Sequence, residues 1–161
     1  SPQYIRFDRT GIPDLYSNKK VDFKNGLVQV KGGEDLCIIA TGIMVHQALE
    51  VASELEQEGI KAGVIDLHRI KPITKDLLMK HIQGYLQIVT IEEHLLAGGM
   101  GSAIAEIFAD EGITTPLLRI GQNDKFVFEL GGRQEIWKTH GLDVAGILKQ
   151  IKEKSILPVT R

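Results

Sequence analysis

From residue 34 onward, short apolar runs alternate with amphipathic stretches of helical period, and few folds satisfy that order. Leu36, Cys37, Ile38, Ile39 and Ala40 form a continuous apolar run ending at Thr41 and Gly42, so both faces of such a strand must be covered. Met44, Ala48, Val51, Ala52 and Leu55 then share one helical face, while Glu50, Glu54, Gln57 and Glu58 face outward, and Gly59 stands where a helix ends. The pattern repeats. Residues 62–67 read as a strand, with Pro72 barring its continuation, and a helix over 75–81 carries Thr74 at its cap position. Residues 86–91 read as a strand, followed by a helix opening at Gly98, Gly99 and Gly101. Residues 116–120 read as the next strand, and helices follow over 133–138 and 144–152. Strands separated by single helices require right-handed crossovers. The expected fold is therefore α/β, a doubly wound, mostly parallel sheet with helices on both faces. Residues 27–31 alternate and precede Gly32 and Gly33, which suggests one antiparallel edge strand entering as a hairpin.

The region before residue 27 behaves differently. Residues 4–8 have strand character but no neighbour to pair with, and the chain starts without Met, so it reads as cut from something longer. Residues 14–26 are polar and aperiodic, as in a linker. With 19 basic and 21 acidic residues the formal net charge is −2, which argues against a nucleic-acid scaffold. No apolar run reaches the length of a membrane span. A lone cysteine, Cys37, excludes an intrachain disulfide and points to a reducing, cytoplasmic setting.

In a doubly wound sheet, ligands meet the carboxyl ends of the strands. Those ends carry Thr41 and Gly42, His68 and Arg69, the run Glu92-Glu93-His94, and residues 121–124. Gly98, Gly99, Met100, Gly101 and Ser102 open a helix whose free N–H groups can hold an anion. A tight turn with close helix–sheet packing accounts for the same glycines. Glu92 and Glu93 point to opposite faces of a strand; with His94 they suit a contact between domains or subunits, or a solvated loop with one helix-capping carboxylate. His68, Arg69 and Lys71 can receive a phosphate or carboxylate, or form a basic loop. Arg9, in the turn Arg9-Thr10-Gly11-Ile12-Pro13, has the geometry of a bidentate phosphate ligand or of a surface ion pair. Trp137 is expected to anchor the C-terminal segment. No nucleophile–base triad is assembled.

Taken in order, these segments resemble the transketolase family. The resemblance rests on residues 4–9, on 33–42, on 64–72, on the run from Glu92 to Ser102, and on Gly121-Gln122-Asn123-Asp124-Lys125-Phe126. It implies that residues 1–13 end a pyrimidine-binding domain, 14–26 are a linker, and 27–161 form the family's C-terminal domain. It further implies an enzyme using thiamine diphosphate and a divalent metal (magnesium or calcium) to pass a two-carbon ketol unit from a ketose phosphate to an aldose phosphate, in the pentose phosphate pathway. Cofactor, metal and catalytic glutamate would lie in portions preceding this chain, so none is expected here and the chain alone would be inactive. Expected partners are the diphosphate- and pyrimidine-binding domains, a second copy in a homodimer, and sugar-phosphate substrates, with neither nucleic acid nor membrane. By the same resemblance Arg9 and His68 are substrate-binding candidates, and Glu92, Glu93 and His94 interface candidates.

The turn from Arg9 to Pro13 resembles transketolase. Related deoxyxylulose-phosphate synthases carry an arginine beside their substrate channel where this sequence has His68, which disfavours the synthase. Two alternatives stand beside transketolase: a 1-deoxy-D-xylulose-5-phosphate synthase C-terminal domain, and the docking domain of a 2-oxoacid dehydrogenase β subunit.

Overall fold

The computed structural model describes residues 2–8, 11–17, 20–128 and 130–157. A 3-10 turn (Phe23–Asn25) leads into β1 (Val28–Lys31). There follow β2 (Leu36–Ala40), α1 (Met44–Gln57), β3 (Ala62–Asp66), α2 (Lys75–Ile82), β4 (Gln87–Leu95), α3 (Met100–Asp110), β5 (Leu117–Gln122), α4 (Arg133–His140) and α5 (Val144–Lys154). The strands form one five-stranded sheet in the order β1-β3-β2-β4-β5. All neighbouring pairs are parallel except β1 with β3, so the doubly wound sheet with one antiparallel edge strand is as expected.

Alternation along β2 divides the interior. Leu36, Ile38 and Ala40 face α1, α5 and Trp137; Cys37 and Ile39 face the layer that includes Leu78, Ile104 and Phe108 from α2 and α3. Every residue of β2 and β3 is buried, which is why neither strand shows polar alternation in the sequence. Trp137 is 5% exposed and joins the α1–α5 side, the anchoring role its size suggested.

Four local expectations are corrected. Residues 4–8 form no strand; they are exposed, and no described strand pairs with them. β1 does not turn back on β2 as a hairpin but pairs with β3. Residues 32–35 cross the amino end of β3, where Glu34 and Asp35 N–H both donate to the Lys61 carbonyl. A Cβ on Gly33 would stand 2.5 Å from the Ala62 carbonyl carbon, so this crossing requires glycine. Thr74 starts α2 without capping it by its side chain; its hydroxyl instead accepts from Arg69 Nη2 (2.7 Å) and donates to the Asn25 carbonyl (2.7 Å). Finally, β4 runs to Leu95, which places Glu92, Glu93 and His94 inside the strand.

Candidate functional site

The first crossover carries the chain from β2 to β3, and the next carries it from β3 past β2 to β4. The winding direction thus reverses between β2 and β4, and a crevice is expected outside the carboxyl ends of those two strands. A cleft of about 610 Å³ lies there. Thr41 and Gly42 line it from the end of β2, Glu93 and His94 from β4, and residues 6–8 and Arg133 complete the walls. The β4–β5 register is irregular between Ile91 and Leu95, so the acidic residues sit where the ladder loosens and side chains can be re-aimed.

Glu92 and Glu93 do different work. Glu92 is 1% exposed, and its carboxylate accepts from Met100 N–H (2.7 Å) and Gly101 N–H (2.8 Å) at the start of α3. A buried anion at a helix N-terminus satisfies orphan donors and complements the macrodipole. The anion that suits the glycine-rich turn is therefore supplied by the chain itself. The glycines make the approach possible: a Cβ on Gly99 would collide with the Glu92 carboxylate and the Leu95 carbonyl, and one on Gly101 would stand 2.6 Å from Thr90 Oγ1. Ser102 completes the turn, donating to the Leu96 carbonyl (2.6 Å) while accepting from Gly98 N–H (3.1 Å) and Arg119 Nη1 (2.9 Å).

Glu93 points to the other face of the sheet. Its Oε1 accepts from Arg133 Nε (2.9 Å) and from Trp137 Nε1 (2.8 Å). Arg133 lies 5.8 Å from the Trp137 ring centroid, a cation–π distance, and its Nη2 donates to Asp8 Oδ2 (2.7 Å). The Asp8 hydrogen bond is the largest influence holding the Arg133 guanidinium in its charged form. Sequence reasoning passed over Arg133. A signal was present: Arg133 and Trp137 are four residues apart and share one face of α4. His94 is exposed at the mouth of the cleft.

His68 stands apart from this group. Its Nε2 donates to the Phe23 carbonyl (3.1 Å), its ring meets Phe23 edge-on with centroids 5.2 Å apart, and its Nδ1 lies 3.8 Å from Asp66 Oδ2. The Asp66 carboxylate accepts from the Tyr16 hydroxyl (2.5 Å). Burial raises the Asp66 pKa, while that hydrogen bond and the nearby histidines oppose the rise. His68 and Asp66 thus hold Phe23 and Tyr16 against the carboxyl end of β3, and His68 does not line the cleft. Arg69 does related work, its guanidinium donating to the carbonyls of Pro72 and Lys24. Arg9 lies outside the described residues.

The donor set does not suit thiamine diphosphate with its metal. Among the described residues no group of three or more His, Cys, Asp or Glu is arranged to hold a metal ion. The glycine-rich N-terminus of α3 is filled by Glu92. No described helix is long and apolar enough to cross a membrane.

A doubly wound domain with one reversed edge strand and a cleft at its switch point describes a class. Comparison with known proteins narrows it. Residues 25–147 match the family model described as "Transketolase, C-terminal domain". The chain is 38% identical over 156 residues to a Methanocaldococcus jannaschii protein provisionally assigned as a transketolase C-terminal section, covering 95% of this chain and 48% of that protein. It is 35% identical over 153 residues to one of the subunits of an apulose-4-phosphate transketolase from Phocaeicola vulgatus, covering 94% and 48%. It is 41% identical over 124 residues to 1-deoxy-D-xylulose-5-phosphate synthase of Gloeobacter violaceus, covering 77% and 19%. Among solved structures, a split-gene transketolase described as an inactive beta4 tetramer superposes with a TM-score of 0.81 at 35% identity, covering 95% of this chain and 49% of that one. The chain belongs to the transketolase C-terminal domain family. It spans about half the length of the Methanocaldococcus and Phocaeicola relatives and about a fifth of the synthase.

Proposed function

We propose that this chain is the C-terminal section of a thiamine-diphosphate-dependent transketolase, serving sugar-phosphate binding and assembly in two-carbon ketol transfer. Residues 1–13 end the pyrimidine-binding domain, 14–26 are the linker and 27–161 the C-terminal domain. The cofactor, its divalent metal and the carbon chemistry belong to the remainder of the enzyme, which this section joins in a homodimer. Arg9 binds the substrate phosphate and so orients the sugar. The supporting observation is the path of the flanking chain: Arg6, Phe7 and Asp8 line the cleft at the switch point, and Gly11, Ile12 and Pro13 line the neighbouring depression beside α1 and α4. His68 serves substrate binding indirectly, through the linker it holds. Glu93 and His94, with exposed Phe126, Phe128 and Leu130 after β5, form the assembly surface, and Glu92 supports it from within.

Losing a charge-assisted phosphate contact costs about 1.5–3 kcal/mol, roughly a 10- to 150-fold loss of binding. In the complete enzyme, Arg9→Ala should raise KM for a phosphorylated aldose by that factor, far more than for the same aldose without phosphate. An equal change for both would assign Arg9 a structural role.

A 1-deoxy-D-xylulose-5-phosphate synthase is the second reading, favoured by the 41% identity to the Gloeobacter protein. His68 in place of the synthase arginine counts against it. Assay of the complete enzyme with pyruvate against a ketose phosphate as donor separates the two.

A further inference from the structure

We infer that Asp66 and His68 form a proton-operated latch that fastens Tyr16 and Phe23 to the carboxyl end of β3, closed while the pair carries one proton and loosened when that proton leaves. The latch is built from this chain's own residues and does not depend on the function proposed above.

The directions of the hydrogen bonds set the chemistry. A backbone carbonyl only accepts, so His68 Nε2, 3.1 Å from the Phe23 carbonyl, carries a proton. In the neutral ring Nδ1 then presents a bare lone pair. Nδ1 is shielded from solvent, has no hydrogen-bond partner among the described residues, and lies 3.8 Å from Asp66 Oδ2. That oxygen already accepts from the Tyr16 hydroxyl at 2.5 Å. Without a further proton, two acceptors face each other at a site where Asp66 is only 6% exposed. One proton removes the conflict in either position. On Nδ1 it makes an imidazolium donor beside a carboxylate; on the carboxyl it makes an O–H donor toward the ring. Burial raises the Asp66 pKa, which favours keeping a proton in the pair. Burial and the Asp66 carboxylate also push the Tyr16 hydroxyl up, so it stays a donor. The other titratable group near Asp66 is His46 from α1, while β1 and β2 set Val28 and Ala40 beside it in register. The Phe23 ring meets both Tyr16 (5.3 Å) and His68 (5.2 Å) edge-on, so a turn of the His68 ring is felt across the group. Arg69 donates to the Lys24 and Pro72 carbonyls and does not titrate, so loss of the proton frees Phe23 while Lys24 stays held. Where residues 14–26 link two domains, the same proton sets how firmly that linker is seated.

The test is nuclear magnetic resonance on the isotope-labelled chain between about pH 5 and pH 9, where a histidine–carboxylate pair gives up its proton. The Overhauser contact between the Tyr16 and Phe23 rings should weaken as pH rises, the open-to-closed ratio growing about two- to tenfold. Its midpoint should match that of the His68 ring nitrogens. Asp66→Asn is uncharged and offers both an acceptor for Tyr16 and a donor for His68, so its ring contact at the alkaline end should equal the parent's at the acid end. His68→Gln keeps an N–H donor for the Phe23 carbonyl but no titrating ring, so its contact should not change with pH; it also carries the test if Asp66→Asn fails to fold. His46→Gln should behave as the parent. A parent contact that is constant across the range would overturn the inference. So would alkaline loosening that persists in Asp66→Asn or His68→Gln, or that disappears in His46→Gln.

Discussion

Replacing Glu92 with alanine removes an anion buried at the head of α3. Two charge-assisted hydrogen bonds disappear, to Met100 N–H and Gly101 N–H, and both donors remain shielded from water. Each such bond is worth about 1.5–3 kcal/mol when its partner is left unsatisfied. Against this, the variant no longer holds a carboxylate at 1% exposure, which returns part of the loss. The expected net cost is about 2–4 kcal/mol for Glu92→Ala. Glutamine keeps one accepting oxygen but turns an NH2 toward the second backbone N–H, so Glu92→Gln should cost about 1–2 kcal/mol. Urea unfolding followed by circular dichroism measures both, with unchanged m-values showing that the native state is intact. Sulfate provides a second readout. If the turn is an anion site with a resident carboxylate, sulfate should stabilise Glu92→Ala by more than it stabilises the parent chain. Losses below about 0.5 kcal/mol for both variants, with no differential sulfate effect, would refute the capping role.

Asp66 should make stability pH-dependent in a stated direction. Burial raises its folded pKa above the unfolded value, so its favourable contribution is full below the unfolded pKa and is lost as pH rises through the folded one. The parent chain should therefore lose stability relative to Asp66→Asn as pH rises through the carboxylate range, which paired denaturation curves would show; a flat difference would contradict it. The Cys37 thiol is fully buried, and burial pushes its pKa up to about 12. An aromatic disulfide reagent at about pH 8 should label it only at the rate of unfolding, and rapid labelling of the native chain would place the thiol elsewhere.

Much of the architecture could be read from the residues, because burial on both faces leaves a direct mark. The run from Leu36 to Ala40 is apolar at every position since helices cover both sides of β2, and Met44 to Leu55 show a helical stripe since α1 has one wet face. Where pairing depends on distant partners, the sequence was silent. Gly32 and Gly33 look like a hairpin turn, yet the second glycine serves a crossing over Lys61 and Ala62. Glu92 to His94 read as the end of a strand because charge interrupts the apolar run; the structure continues the strand, since α3 and α4 consume the two carboxylates. The glycines at 98–101 announce a close approach, but what approaches lies eight residues back from Met100 in the chain, and no local pattern names it. His68 looks like an open basic group, whereas its partner Phe23 stands in a segment whose composition marks only a linker.

The reversed strand β1 has a consequence for solubility. An all-parallel sheet would leave the outer side of β3 as a bare ladder open to a further strand. Here β1 occupies it, and its own pairing is irregular between Gln29 and Lys31. Lys31 is tied to Glu56 at 2.9 Å, setting a charged pair beside that rim. Short length, a kink and charge are the means by which such rims escape stacking with copies of themselves. The four residues of β1 thus act as a selvage on the β3 side of the sheet.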